Sequence, residues 1–265
     1  MYDVKYHKPA SLADAVAALA AADDGKILSG GQTLLPTMKQ HLAAPSDLID
    51  VRGIDGMSSI SVGNGTITIG AATVHADVAD SSEVKANIPA LAALAEGIGD
   101  PAVRAMGTIG GSIANNDPAA DYPSAVLGLG ATVVTNTREI AADDFFDGMF
   151  ATSLDEGEII TAVRFPIPSR AGYAKFPNPA SRYAMAGVLV AETGGSVRVA
   201  VTGAGSDGVF RHAGMESALA SNFTAGALDG ITIDPDGLLS DIHGSAAYRA
   251  NLVTVMAGRA VAYAA

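Results

Sequence analysis

An α+β fold is predicted by this sequence: two small α/β lobes, then a C-terminal lobe built from a small antiparallel sheet and helices. Three patterns of hydrophobic spacing carry that prediction. Short alternating runs interleaved with amphipathic ones occupy residues 1–54, and a hairpin, further helices and closing strands occupy 55–168. Long apolar or alternating strands followed by mostly helical sequence fill 169–265.

The elements follow in chain order. "YDVKY" alternates as a short strand, and "SLADAVAALAA" repeats apolar residues at helical spacing behind Ser11, a natural N-cap with Asp14 three positions on. "KIL" is a strand running into a glycine pair, "TLLPTMKQHL" a second helix and "DLIDV" a strand. "SSISVGNGTITIGAAT" is a hairpin in which Gly63-Asn64-Gly65 invites a tight turn, its glycines supplying the positive dihedrals. "VHADVAD" and "IPALAALAEGI" are helices leading to a second glycine pair; "ATVVTNT" and "EIITAVRFPIP" are strands that close the middle lobe near Pro168. "PSRAGYAKFPNPASR", rich in proline and small residues, marks a lobe boundary or a functional loop. Beyond it "AGVLVAET" and "SVRVAVTGAG" are antiparallel strands, "HAGMESALA" is a helix and "SAAYRANLVTVMAGRAVAYA" a long terminal helix.

Composition narrows the function. Residues of hydrophobic type make up 49% and charged ones 17%, which argues against disorder and leaves an unusually apolar surface for a free monomer, so part of it is expected to meet another protein. With 16 basic and 28 acidic residues the net charge is -12, which repels nucleic acid and anionic lipid. Cysteine is absent, so disulfides, thiolate metal sites, iron–sulfur ligation and thiol nucleophiles are excluded; redox chemistry here requires a bound organic cofactor. The N-terminus lacks a signal-peptide core, and the longest apolar run, "AVLGLGATVV", falls short of the roughly 18 residues a membrane span requires, which predicts a soluble, cytoplasmic protein.

Two motifs carry chemistry. In "LSGGQTLLP", Gly30 and Gly31 let the backbone approach a ligand, and Thr33 is placed to cap a helix whose first N–H groups point back at the loop. Such an end suits a diphosphate, although this loop alone fits a plain strand-to-helix connection equally well. In "TIGGSIANNDPAAD", Gly110 and Gly111 repeat the device, while Thr108, Ser112, Asn115, Asn116 and Asp121 offer hydroxyl, amide and carboxylate partners for a sugar or ribityl chain. The alternative is a buried turn whose polar groups satisfy one another. Two such loops suggest one long, doubly phosphorylated ligand held twice.

"GAGSDG", Gly203 to Gly208, fits a dinucleotide fingerprint with Asp229 some way on, yet a dinucleotide domain needs further βα units and too little chain follows. Gly203 and Gly205 are therefore expected to be strand-end turn residues. His7, His41, His75, His212 and His243 stand apart at no metal-ligand spacing, so no metal site is indicated. No G-x-S-x-G elbow occurs, and Asp143-Asp144 and Asp155-Glu156 are expected to be solvated turns rather than an acid/base couple.

"ILSGGQTLLPTMKQHLAAPSDLIDV", "IGDPAVRAMGTIGGSIANNDPAADYPS" and "KFPNPASRYAMAGV" resemble the flavin-binding medium subunit of molybdenum hydroxylases of the carbon monoxide dehydrogenase and xanthine dehydrogenase type. The resemblance spans nearly the whole chain, from "YDVKYHKPASLADAVAAL" to "IHGSAAYRANLVTVMAGRAV", and three motifs in order are far more specific than one. It implies a vanillyl-alcohol-oxidase/PCMH-type fold with FAD held noncovalently between the lobes. By position, Leu28, Ser29, Gly30, Gly31, Gln32, Thr33, Leu34 and Leu35 would wrap the diphosphate, and Thr108, Gly110, Gly111 and Ser112 would hold it from the second lobe. Asp121 would take cofactor hydroxyls, with Asn115 and Asp117 in the same polar set; Ile98, Ile160 and Lys175 fall at the flavin or adenine contacts, and Tyr183 near the ring. Gln32 and Asn115-Asn116 replace residues that are often histidine, or histidine with a small residue, in relatives, which implies unchanged binding with a shifted flavin potential.

The resemblance also implies a division of labour. A molybdenum large subunit would oxidise substrate, an iron–sulfur small subunit carrying 2Fe–2S clusters would relay electrons singly, and the FAD on this chain would collect two, in a dimer of heterotrimers. The molybdenum cofactor and clusters would lie only on partners, and no catalytic acid or base is needed here. A stand-alone flavin oxidase and a nucleotide-binding or assembly module built on Gly203 to Gly208 are the alternatives.

Overall fold

The computed structural model describes residues 2–264; Met1 and Ala265, the outer ends of the first and third predicted lobes, lie outside the described residues. At the N-terminus β1 (Lys5–His7), α1 (Leu12–Ala20), β2 (Gly25–Leu28), α2 (Leu34–Lys39) and β3 (Asp47–Asp50) alternate. Their three strands form a parallel sheet of order β1-β3-β2. Helix α1 starts as its sequence predicts: the Ser11 hydroxyl caps it by accepting from the Asp14 N–H at 3.1 Å, and donates to the Asp14 carboxylate at 2.7 Å, which orients it. Thr33 differs from expectation. It precedes α2 but already has helical dihedrals, so its side chain makes no capping bond.

The middle of the chain builds a five-stranded antiparallel sheet of order β4-β5-β8-β6-β7, from β4 (Ile60–Gly63), β5 (Thr66–Gly70), β6 (Thr132–Thr135), β7 (Glu139–Ala141) and β8 (Ile160–Pro166). In the β4–β5 hairpin the positive dihedrals fall on Asn64 and Gly65, not on Gly63, which pairs with Thr66 as the last strand residue. A two-residue turn needs both central residues left-handed, and asparagine tolerates that conformation. Between β5 and β6 run six helices: α3 (His75–Asp80), α4 (Ser82–Asn87), α5 (Pro89–Glu96), α6 (Pro101–Arg104), α7 (Ile109–Asn115) and α8 (Tyr122–Leu129). A short α9 (Ala142–Phe145) follows β7. The second glycine pair is thus not an open loop. Gly110 and Gly111 form the first turn of α7, with Thr108 as N-cap.

Arg170–Pro177, read in sequence as boundary or loop, is a strand, β9. It pairs with β10 (Ala184–Thr193), which pairs with β11 (Ser196–Thr202), and β12 (Phe210–Arg211) completes an antiparallel sheet. Tyr173, Ala174 and Lys175 alternate across β9 as a strand requires, and the proline-rich part begins only at Pro177. Helices α10 (Ala213–Ser221) and α11 (Ala246–Tyr263) follow.

Helix α8 joins the two larger sheets. Every one of its eight residues is buried, and Gly128 lies so close to β10 that a side chain there would meet Leu189 Cδ2 at 2.6 Å. Covered by α8 on one face and α11 on the other, Ala184 to Ala191 of β10 are continuously buried. The main apolar core draws on the first and middle sheets, and a second lies between the C-terminal sheet and α11. No helix of the described residues is long and apolar enough to cross a membrane.

A candidate cofactor cleft between two glycine turns

Where β2 ends, the chain turns through Ser29 to Thr33 and faces Met106 to Thr108, which lead into α7. The two segments touch. Thr108 Oγ1 donates to Ser29 Oγ at 2.9 Å, and a Cβ on Gly30 would run into the Met106 carbonyl and lie 2.6 Å from Gly107 Cα. Gly107 in turn rests on the imidazole of His75, where any Cβ would stand 2.6 Å from Nε2. Three layers of backbone and ring therefore stack without side chains between them, and only glycine fits at the first two.

Beside this seam opens a cleft of about 580 Å³, within the range of cofactor and ligand sites. Its lining includes Leu28, Ser29, Gly30, Gly31, Gln32, Thr33 and Leu34 on one side. Opposite lie Ile98, Thr108, Gly110, Gly111, Ser112, Asn115, Asp117 and Asp121, with Ile160 and Tyr183 closing the ring. Two expected residues do not line it. Leu35 folds over Gly31, within 3.0 Å of where a Cβ would sit, into a small apolar cluster with Leu28, Met38 and Leu48. Lys175 lies behind the wall, its ammonium 2.8 Å from Asp121 Oδ1 and donating to the Gly97 carbonyl at 2.8 Å. Asn116 also turns away, its amide donating to the carbonyls of Gly148 and Ala151 at 2.7 Å each.

The two walls differ in what they offer. Among the described residues the N–H groups of Gly30, Gly31, Gln32 and Thr33 have no acceptor, and with Gly31 left-handed at φ 70° the turn presents a run of free donors. On the other wall the donors are satisfied: Ile109 N–H donates to Thr73 O, Gly110 N–H to Ala71 O and Gly111 N–H to Thr108 Oγ1. Gly110 is bare because α7 lies on Ala71, whose Cβ would be 2.6 Å from an added Cβ. That wall contributes side chains instead, with Ser112 and Asn115 free of protein hydrogen bonds among the described residues.

Electrostatics order the rest of the lining. Asp121, buried, accepts from Tyr173 at 2.5 Å and Lys175 through the same oxygen, which leaves Oδ2 unbound among the described residues. Burial pushes its carboxyl pKa up, against the pull of the Lys175 ammonium. Glu158 also lines the cleft, but hydrogen bonds from Arg138 hold its carboxyl down at about 2, so it is a fixed anion in a network with Thr135 and Thr137. At the edge, Tyr183 is 48% exposed, and its phenol is raised by partial burial and by the charges of Asp117 and Asp121, which keeps it neutral. His75 is buried with Nδ1 unpartnered, and burial, then Arg104, lowers its pKa to about 4. His75 thus borders the cleft as a neutral imidazole whose Nδ1 is buried without a partner among the described residues.

His75, Gly107, Glu158 and Arg182 line the cleft although sequence reasoning passed them over. Only Gly107, one residue before the motif, carried a local signal. His75 read as an isolated histidine because its neighbours come from Gly107 and Tyr122, the ring of the latter 5.3 Å away. Gly203, by contrast, is a strand-end turn at φ 80°, its N–H donating to Pro118 O; it buttresses the cleft wall from behind and does not line it. No group of three or more acidic, histidine or cysteine residues that could hold a metal occurs among the described residues.

Comparison with known proteins places this geometry. A family model described as the FAD binding domain in molybdopterin dehydrogenase matches residues 2–168. The nicotine 6-hydroxylase medium subunit of Paenarthrobacter nicotinovorans is 36% identical, with 97% of this chain and 96% of that one aligned. The carbon monoxide dehydrogenase medium chain of Hydrogenophaga pseudoflava is 34% identical over 97% of this chain and 94% of its own. Among solved structures, reconstituted CO dehydrogenase from Oligotropha carboxidovorans superposes with a TM-score of 0.88 at 33% identity, covering 99% of this chain and 97% of that one. Quinoline 2-oxidoreductase from Pseudomonas putida 86 gives a TM-score of 0.88 at 29% identity, covering 98% and 96%. With both glycine turns and most of the cleft falling inside the matched segment and whole-length kinship to medium chains, the chain belongs to the family of FAD-binding domains of molybdopterin dehydrogenases.

Proposed function

We propose that the chain is the FAD-containing electron-transfer subunit of a multi-subunit molybdenum hydroxylase, and that it holds FAD noncovalently in the cleft between its two glycine turns. One observation carries the assignment of the cleft: free backbone donors on Gly30 to Thr33 face the Thr108 wall directly, joined by the Ser29–Thr108 hydrogen bond. The run of free N–H groups on Gly30 to Thr33, set in a cleft lined also by apolar side chains such as Ile98 and Ile160, fits a phosphate-bearing ligand of mixed polar and apolar surface.

When bound, FAD supplies the ability to accept electrons one at a time and release them in pairs. The chain's own residues do the rest. Gly30, Gly31, Gln32 and Thr33 bind the diphosphate through N–H groups, and Ser112, Asn115 and Asp117 meet hydroxyls from the other wall. Asp121, oriented by Tyr173 and Lys175, offers Oδ2 to a hydroxyl, so Lys175 acts through Asp121 and not by contact. Ile98, Ile160 and Tyr183 exclude water from the apolar part of the cofactor. Glu158 lines the cleft locked as an anion, so it is unsuited to proton transfer, consistent with substrate oxidation on another chain.

Lobes of residues 1–54, 55–168 and 169–265 belong to the same proposal, supported by each sheet lying within one of them. So do a dimer of heterotrimers with iron–sulfur small and molybdenum large subunits, and a cytoplasmic location. The purified chain, stripped and titrated with FAD, is expected to bind one equivalent and quench flavin fluorescence. Absence of measurable FAD affinity in a folded chain overturns the assignment.

A further inference from the structure

We propose that Arg104 and Arg182 form an anion-binding site at the rim of the cleft, which seats the carboxylate or phosphate group of a small electron acceptor beside the cofactor ring; this rests on the flavin-subunit proposal above. The two side chains converge on one atom. Arg182 Nη1 donates to the Gly99 carbonyl at 3.4 Å, and Arg104 Nη1 donates to the same oxygen at 3.3 Å and to Ile98 O at 3.0 Å. Two cations are thus held side by side on neutral acceptors.

Neither has a counter-ion. The chain carries 28 acidic residues for a net charge of -12, and most of its arginines pair with a carboxylate. Arg104 and Arg182 make no ion pair among the described residues. A guanidinium fork has more donors than these carbonyls use, so most of each fork is left open to a ligand. Arg104 is half-buried, and its charge reaches inward far enough to help burial lower the pKa of His75 on the lining. Adjacent, unneutralised like charges make a potential that an anion relieves.

The backbone holds Arg182 in place. It is left-handed at φ 63°, a conformation that side-chain-bearing residues seldom adopt. Buried Asn178 fixes the turn: its Oδ1 accepts from the N–H groups of Ala180 at 2.9 Å and Ser181 at 3.3 Å, and its own carbonyl accepts from Arg182 N–H at 2.8 Å. Its N–H donates to Tyr183 O, also at 2.8 Å. Arg182 and Tyr183 therefore line the cleft together, across from Ile98 and Gly99. Ile98 and Tyr183 are the contacts assigned above to the apolar part of the cofactor, whereas the diphosphate is provided for by the free N–H groups of Gly30 to Thr33. An anion on the arginine pair thus lies by the ring, where electrons leave. Because both arginines share one carbonyl, the landing area suits a single acidic group better than the face of a protein.

Ferrocyanide and ferricyanide are the probes. Calorimetric titration of the full chain with ferrocyanide, with and without FAD, is expected to show binding that Arg182→Gln and Arg104→Gln each weaken about tenfold. Arg259→Gln, which removes an exposed arginine that does not line the cleft, should leave it unchanged. In rapid mixing, reduced FAD on the chain gives one electron to each of two ferricyanide ions, which leave as ferrocyanide while the flavin protons pass to solvent. That reoxidation should slow about tenfold in Arg182→Gln, whereas reoxidation by the cation hexaammineruthenium(III) should be no slower. Arg182 is exposed, so its variant is expected to keep the wild-type melting temperature. Absent ferrocyanide binding, equal slowing with both oxidants, or a loss of FAD affinity in the variants overturns the anion site alone. Loss of a partner chain from the tagged complex of Arg182→Gln makes the pair a protein contact and overturns it too. A folded chain that binds ferrocyanide but no FAD overturns the flavin-subunit proposal instead.

Discussion

The pairs Gly30–Gly31 and Gly110–Gly111 look interchangeable in the sequence, each set behind a hydroxyl residue and ahead of small polar ones, yet they differ in what crowds them. The first presents free N–H groups to the cleft and presses its backbone on the opposite wall. In the second the donors are already bonded, and glycine is required because a helix lies on Ala71. A glycine pair announces close approach to the backbone. It does not say whether a ligand, another lobe or a packed helix does the approaching.

The largest expected effect lies beneath the seam, at His75. Its pKa is depressed from 6.5 to about 4, so between those values the unfolded chain binds a proton that the folded chain does not. Stability is then complete above about pH 6.5 and falls by about 3 kcal/mol as the pH drops to about 4. His75→Asn should flatten that stretch of the curve in urea titrations. Glu158, depressed from 4.5 to about 2, adds its own loss only as the pH falls from about 4.5 towards 2, below the stretch that reports His75; an unaltered slope between pH 6.5 and 4.5 in the variant would refute the role given to His75.

Gly110→Ala sharpens the contrast between the pairs. Forcing a methyl against Ala71 should cost about 2–3 kcal/mol of stability, read by chemical denaturation, while the folded fraction keeps its FAD affinity. Gly30→Ala should do the reverse: its methyl pushes the two walls apart, weakening FAD binding about 30-fold, roughly 2 kcal/mol, with a smaller change in melting temperature. Equal effects of the two variants on FAD affinity would erase the distinction drawn between the walls. Thr108→Val is expected to be mildest, losing the cap on Gly111 and the bond to Ser29 for about 1 kcal/mol of stability and a several-fold loss in FAD affinity measured by fluorescence quenching.

Local signals were legible where one stretch of chain contained the whole cause. Ser11 caps α1 on the Asp14 N–H within one turn, and the strand and helix alternation of the first fifty residues follows from hydrophobic spacing alone. Seventeen of the nineteen expected cofactor contacts, Tyr183 among them, line one cleft. Lys175 stands apart from the lining because its partners are Asp121 and Gly97, far away in sequence, a placement no local pattern reveals. Asn116 reads as one more polar loop residue until its amide is found holding Gly148 and Ala151, some thirty positions on.

By itself the sequence determined the succession of strands and helices, the exclusion of iron–sulfur and disulfide chemistry through the lack of cysteine, and the two stretches where the backbone must be bare, because those depend on residue type and nearest neighbours. Only the tertiary structure decided that Ser29 and Thr108 meet, that one glycine pair keeps its donors free while the other uses them up, and that Asn116 turns from the cleft to hold Gly148 and Ala151. Those outcomes depend on how separately formed lobes pack, and a contact between residues 79 positions apart leaves no periodicity in the chain that makes it.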